Sequence, residues 1–332
     1  MSISRRDLLK GAAVVGAAAA VPTAAEARHT RAPDPDAVGM LFDATRCVGC
    51  RACQSACKVA NNLPPDKVSA ENGGVYDAPQ DLNGTTKNII KAFADDTTGK
   101  YAYMKQQCMH CVDPSCVSVC MMGALHKEGH GKRDLFTREG RAAEIAGTGI
   151  VVYDRGLCVG CRYCQIGCAY LVPKFQWDEP IPLIVKCELC NHRRDPKRDW
   201  ATKKDPLAVA NPACCEVCPA KAVVYGKRSD LLAEAERRIS ADKARYNPHV
   251  YGSDIGGVAE GGGTSVLYMA PAGVGFKQLG LPELPEESSA AFSEGVSHAP
   301  YLNGVTPLAL YGALAFVIYR NQKKEEAGED KR

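Results

Sequence analysis

Seventeen cysteines lie between Cys47 and Cys218, and none lies outside that window. They form four groups. Group one is Cys47, Cys50, Cys53 and Cys57; group two is Cys108, Cys111, Cys116 and Cys120. Group three is Cys158, Cys161, Cys164 and Cys168; group four is Cys187, Cys190, Cys214 and Cys218, with Cys215 left over. Groups one and three share the spacing C-x2-C-x2-C-x3-C, group two has a longer middle gap, and group four carries a 23-residue insert. A cubane iron-sulfur cluster needs one thiolate at each iron corner. Three cysteines spaced by two can surround one face, while the fourth points to a neighbouring cluster. Gly49 and Gly160 stand at the first tight turn, where a missing side chain lets the backbone approach. Backbone N–H groups there can donate to cluster sulfurs. Sixteen thiolates in quartets correspond to four [4Fe-4S] clusters.

Three other chemistries use cysteines at short spacing. Zinc takes four ligands from two separated pairs, and a third cysteine at the same interval is surplus. Disulfides suit an exported chain, but the count is odd and residues three apart are poorly placed to bridge. A c-type haem needs C-x-x-C-H, and "CMHC" puts His110 inside the pair instead. There is no Gly-rich dinucleotide fingerprint and no nucleophile elbow. The seven histidines are scattered; His298 reads as an interfacial residue. The chain is expected to be non-catalytic. A net charge of +3 and 7% aromatic residues give no sign of a nucleic-acid partner.

The elements that must position these thiols repeat. "CVGCRACQSAC" (Cys47 to Cys57) and "CVGCRYCQIGC" (Cys158 to Cys168) agree at eight of eleven positions. "LFDATRC" and "VYDRGLC" place Asp43 and Asp154 at one offset ahead of them. "MLF" and "IVVY" predict short strands leading into each loop. Groups two and four exit as "CMMGAL" and "CPAKAV". The expected fold is α+β: a duplicated two-cluster ferredoxin-like domain over residues 40–226, with loop-rich inserts at 62–100 and 126–148. The basic insert His192 to Lys204 reads as a surface loop. A helix is predicted over 229–246, capped by Ser229 and packing through Leu231, Leu232, Ala235 and Ile239. Residues 247–299 are Gly- and Pro-rich and are expected to be extended, with one strand at 264–269.

Both ends carry address signals. "SRRDLLK", an apolar run to Val21 and "AEA" ending at Ala27 mark residues 1–27 as a twin-arginine signal peptide. That route carries folded proteins, so clusters could be inserted before export. At the other end no Asp, Glu, Lys or Arg lies between Glu294 and Arg320. Residues 301–319 are expected to form a transmembrane anchor of about 20 residues. The basic flank after it places the tail, 320–332, in the cytoplasm.

Residues 40–226 resemble the four-cluster iron-sulfur subunits of bacterial respiratory oxidoreductases. The signal, the expected anchor, "YAYMKQQCMHCVDPSCVSVC" and "PHVYG…EGGGTSVLYM" narrow the resemblance. They are similar to the periplasmic electron-transfer subunit of membrane-bound, quinone-linked NiFe hydrogenases. The resemblance implies a nested arrangement of four [4Fe-4S] clusters. One would use Cys47, Cys50, Cys53 and Cys218; the next Cys187, Cys190, Cys214 and Cys57. A third would use Cys108, Cys111, Cys116 and Cys168, and the fourth Cys158, Cys161, Cys164 and Cys120. Sequence alone equally allows tandem pairing. Cys214 is preferred to Cys215 because it keeps the spacing to Cys218. The proline that usually follows the fourth cysteine is present only as Pro219; Lys58, Met121 and Ala169 replace it elsewhere. The implied partners are catalytic hydrogenase subunits and a quinone-reducing membrane subunit. A molybdopterin enzyme such as a formate dehydrogenase is the alternative catalytic partner, and a zinc-binding structural or sensor protein is the alternative class.

Overall fold

The computed structural model describes residues 29–66, 79–94, 99, 101–129, 147–180, 182–193, 211–294 and 305–329. The signal segment 1–27, most of the basic insert after His192, and His298 lie outside the described residues. The chain divides into a unit spanning Thr30–Ala290 and one made of Met1–His29 and Ala291–Arg332.

The larger unit is organised by one four-stranded sheet, whose neighbours run β8-β1-β10-β9. Strand β1 (Val38–Asp43) and β10 (Val266–Pro271) are central and pair in parallel, with Met40 opposite Val266 and Phe42 opposite Tyr268. Both carry continuous apolar runs because both faces are covered. Alternation then divides the side chains between two cores. Val38, Met40 and Phe42 join Val266, Tyr268 and Ala270 in the core that also holds Cys53, Cys108, Cys187 and Cys214. Leu41, Leu267 and Met269 face the opposite way. There they meet Leu231 and Ala235 of a helix spanning Arg228–Ala241. Gly39 permits a close crossing, since a Cβ there would lie 2.1 Å from the Ser265 carbonyl oxygen.

The outer strands are β8 (Val223–Lys227) and β9 (Tyr246–Tyr251), both antiparallel to their neighbours. Among the described residues three two-stranded ribbons complete the strands. They pair β2 (Ile89–Ala94) with β3 (Tyr101–Gln106), β4 (Leu125–Lys127) with β5 (Val151–Tyr153), and β6 (Lys174–Phe175) with β7 (Ile184–Val185). Among the described residues the helices include α1 (Ala52–Ala60), α2 (Ser115–Ser118), α3 (Tyr163–Ile166), α4 (Ala213–Glu216), α5 (Arg228–Ala241) and α6 (Val305–Glu329).

Several expectations need correction. Helix α5 ends at Ala241, short of 246, and Lys227, not Ser229, occupies its N-cap position with no side-chain cap. The 247–299 segment is no mere connection: β9 and β10 complete the central sheet. Within the inserts 62–100 and 126–148, expected as loops or short surface elements, lie β2 and the end of β4.

The expected anchor at 301–319, whose first four residues lie outside the described residues, is not shown, and most of the expected tail at 320–332 is helical. Among the described residues no helix is long and apolar enough to cross a membrane. Helix α6 starts at Val305 and runs without a break through Arg320, Lys323 and Glu325 to Glu329. Its described uncharged stretch, Val305 to Tyr319, rises about 22 Å at 1.5 Å per residue.

Candidate metal centres

The thiols gather at four places, and each gathering draws on two cysteine groups. Cys47, Cys50, Cys53 and Cys218 line a concavity of about 350 Å³, beside Phe42 and Ala222. Cys57, Cys187, Cys190 and Cys214 line a second of about 300 Å³, with Asn61 and Gln107. A third, of about 370 Å³, is lined by Cys111, Cys116 and Cys168. Cys108 acts electrostatically on both Cys111 and Cys116 there. At the fourth place Cys164 is within electrostatic reach of Cys120, Cys161 and Cys158. All seventeen thiols are free of disulfides. Cys214 lines the second concavity and Cys215 does not.

Strand pairing explains why the groups combine this way. Strand β1 leads into group one and pairs with β8, which leaves group four. Strand β5 leads into group three and pairs with β4, which leaves group two. The two lead-in segments match in detail: the Asp43 N–H donates to the Ala222 carbonyl and the Asp154 N–H to the Ala124 carbonyl, each at 2.8 Å. Gly49 and Gly160 adopt φ of 70° and 69°, and Arg51 and Arg162 follow at 58° and 68°, opening α1 and α3. This backbone path turns the loop tightly enough for successive thiols to face one space. Group exits also aim N–H groups at sulfur. Ala222 N–H donates to Cys218 Sγ at 3.3 Å and Leu125 N–H to Cys120 Sγ at 3.4 Å.

The two repeated aspartates differ in surroundings. Asp43 is fully buried. Its Oδ2 accepts from Arg238 Nη1 and from the Tyr246 hydroxyl, each at 3.0 Å, and its Oδ1 accepts from Thr45 N–H and Oγ1 at 3.0 and 2.6 Å. Asp154 is exposed and accepts from the Gly156 N–H at 2.8 Å.

Burial pushes the Cys53 and Cys164 thiols up to about 12, and raises Cys111 and Cys187 as well. Cys214 runs the other way, chiefly because Cys215 hydrogen-bonds to it. Ligation must therefore displace protons from most of these thiols.

The donor set distinguishes one ion from a cluster. A zinc ion needs its sulfurs about 2.3 Å from a single point. Among the described residues no group of three or more His, Cys, Asp or Glu side chains is arranged to hold a metal ion. The thiols border the concavities described above, where a cubane would take one thiolate at each iron corner. His110 adds a second sign. It is fully buried, its Nδ1 accepts from the Val151 N–H at 3.0 Å, and so its Nε2 bears the proton. Among the described residues that Nε2 is buried without a partner, two residues from Cys108 and beside Cys111. A donor in that state fits an acceptor such as cluster sulfur.

Spacing alone misses three buried cations: Lys105, Lys127 and Lys186. For Lys127 a signal existed, because "LHK" alternates and puts Lys127 on the inward side with Leu125. For Lys105 none did, since it follows the equally buried Met104.

Comparison with known proteins agrees with this geometry. The 4Fe-4S dicluster domain matches residues 99–228, and the twin-arginine translocation pathway signal matches residues 2–22. The hydrogenase-2 operon protein HybA of Escherichia coli O157:H7 is 36% identical over 362 aligned positions, covering 99% of each chain. The nitrate-inducible formate dehydrogenase iron-sulfur subunit of Escherichia coli K12 is 31% identical, over 70% of this chain and 67% of its own. The formate dehydrogenase-O iron-sulfur subunit of the same strain is 29% identical, over 89% and 85%. The chain belongs to the family of the hydrogenase-2 operon protein HybA, related to the iron-sulfur subunits of formate dehydrogenases.

Proposed function

We propose that this chain is the electron-transfer subunit of a periplasmic NiFe hydrogenase, carrying single electrons toward a quinone-reducing membrane subunit. Four [4Fe-4S] clusters would be held by Cys47, Cys50, Cys53 and Cys218; by Cys57, Cys187, Cys190 and Cys214; by Cys108, Cys111, Cys116 and Cys168; and by Cys120, Cys158, Cys161 and Cys164. Each cluster, when bound, takes up and passes on one electron without making a covalent bond. The chain's own residues supply ligands, exclude water and set spacing; none is assigned a catalytic step.

The observation that carries this reading is the succession of thiol quartets. Cys53 of the first interacts with Cys214 of the second, and Cys187 of the second with Cys108 of the third. Cys116 of the third and Cys164 of the fourth share one apolar cluster. The two end quartets each include an exposed thiol, Cys50 and Cys161, whereas Cys187, Cys190 and Cys214 between them are buried. A path with open ends and a closed middle suits transfer between two partners.

The 36% identity to HybA across whole chains favours hydrogen as the donor. The formate dehydrogenase relatives keep a molybdopterin partner as the second reading. Exposing the anaerobically purified complex to hydrogen, then to formate, separates them. Bleaching of the iron-sulfur absorbance by hydrogen is expected; bleaching by formate alone would transfer the chain to the second reading.

A further inference from the structure

Lysine is seldom buried without a carboxylate, because stripping water from an ammonium is costly. Lys58 follows that rule, with Asp66 at 2.7 Å. Among the described residues Lys105 and Lys186 have no such partner, although each is no more than 2% exposed, whereas the equally buried Lys127 has Asp34 within electrostatic reach. Lys127 donates to the Cys111 carbonyl at 2.8 Å, and Lys186 to the Cys187 carbonyl at 3.2 Å. Lys105 donates to Gln107 Oε1. All three ammonium groups thus sit against the cysteine segments.

Lys105 is the most confined. Its carbonyl accepts from the Tyr268 hydroxyl at 2.6 Å, and its backbone pairs with Ile90 across β2 and β3. Gln107, its acceptor, lines the second concavity and is held in turn through Nε2 to Met40 Sδ at 3.1 Å. Burial works against its charge, but negative charge at Cys214, Cys53 and Cys187, which these groups carry as thiolate ligands, raises its pKa. Cys53 borders the first concavity; Cys187 and Cys214 border the second. One fixed cation therefore serves two thiol quartets at once.

We propose that Lys105 is a positioning charge that raises the reduction potentials of the two centres bounded by Cys53 and by Cys187 and Cys214. The inference rests on the cluster assignment above. Reduction adds one electron, and no proton, to a centre already anionic from its thiolates. A cation fixed nearby in a poorly screened interior stabilises the reduced form more than the oxidised one. The potential rises, and electrons are drawn toward these two centres relative to the other two. Lys127 lies within electrostatic reach of Cys111 and Cys108 of the third quartet, but there burial prevails over Asp34 and the thiols and lowers its pKa to about 8.

The test is a mediator redox titration of the full chain in its complex, followed by electron paramagnetic resonance, for wild type, Lys105→Met, Lys105→Arg and Lys127→Met. In Lys105→Met two of the four components should become harder to reduce by about tenfold, 59 mV for a one-electron couple. Lys105→Arg should restore them, and Lys127→Met should move a different component. Loss of two clusters in Lys105→Met with retention in Lys105→Arg also supports the charge role. Unchanged potentials at full iron content, equal shifts in all four components, or identical behaviour of the methionine and arginine variants would overturn it. A wild-type chain that binds no iron would sink the cluster assignment itself, a separate outcome.

Discussion

Asp43 offers a test of how the first cysteine loop is held. Its carboxylate ties β1 to α5 through Arg238 and to β9 through Tyr246, and its own carbonyl accepts from the Cys47 N–H at 3.3 Å. In Asp43→Asn the shape is kept but the charge is lost. Arg238, with a side chain only 7% exposed, is then left with Glu234 at 2.7 Å as its remaining anionic partner. Breaking a buried ion pair costs roughly 3–5 kcal/mol, and the surviving Glu234 contact puts the expected loss near the lower bound, about 3 kcal/mol. Asp154 holds the equivalent position in the repeat but is exposed, so Asp154→Asn should cost no more than about 1 kcal/mol. Denaturant unfolding of the cluster-loaded chain under anaerobic conditions, with iron retention followed in parallel, reads both. Adding Arg238→Met to Asp43→Asn should recover part of the loss, because the stranded cation goes too. A loss below about 1 kcal/mol in Asp43→Asn, or equal losses at the two aspartates, would refute the reasoning.

Gly49→Ala and Gly160→Ala form another matched pair. Both place a side chain at positive φ, a strain of about 1–2 kcal/mol, but only at Gly49 would the new Cβ lie 2.5 Å from the Tyr103 ring, while at Gly160 the nearest atom is 3.7 Å away. Thermal unfolding should show the Gly49 variant clearly the less stable, by roughly a further 1–3 kcal/mol of overpacking. His249 donates to Glu260 Oε1 at 2.5 Å and to the Ile255 carbonyl at 2.9 Å, and the Glu260 hydrogen bond raises its pKa above 6.5. Its contribution is complete below about pH 6.5 and is lost as pH climbs through the raised value, so unfolding curves of wild type and His249→Gln should converge on the alkaline side. Cys215→Ser should keep full iron content and Cys214→Ser should lose iron, read by metal analysis, because Cys214 and not Cys215 lines the second concavity.

Much of this molecule is legible where chemistry and local geometry coincide. The cysteine intervals, Gly49 and Gly160, and the apolar lead-ins "MLF" and "IVVY" all report short-range constraints, and the strands and loops form there. What is hidden depends on distant partners. The Gly-rich run around Gly261 reads as a connection, yet it delivers β10 to a parallel pairing with β1 more than two hundred residues earlier. The strand leading into group one finds the strand leaving group four, β1 against β8, and no local pattern distinguishes that from tandem pairing. The expected C-terminal span is not shown, because among the described residues no helix is long and apolar enough to cross a membrane. Counting apolar residues from Tyr301 to Tyr319 does not reveal that the helix continues through Arg320, Lys323 and Glu325. Lys105 escapes notice because a charge in a short strand normally signals an exposed edge, and here the compensating groups come from Cys53, Cys187 and Cys214.

The central claim is that thiols standing in quartets hold iron and sulfide in place of single ions. Iron, acid-labile sulfide and zinc should be counted per chain in anaerobically purified protein. The account predicts about sixteen iron and about sixteen sulfide, four of each for every quartet; about four zinc with no sulfide would contradict it.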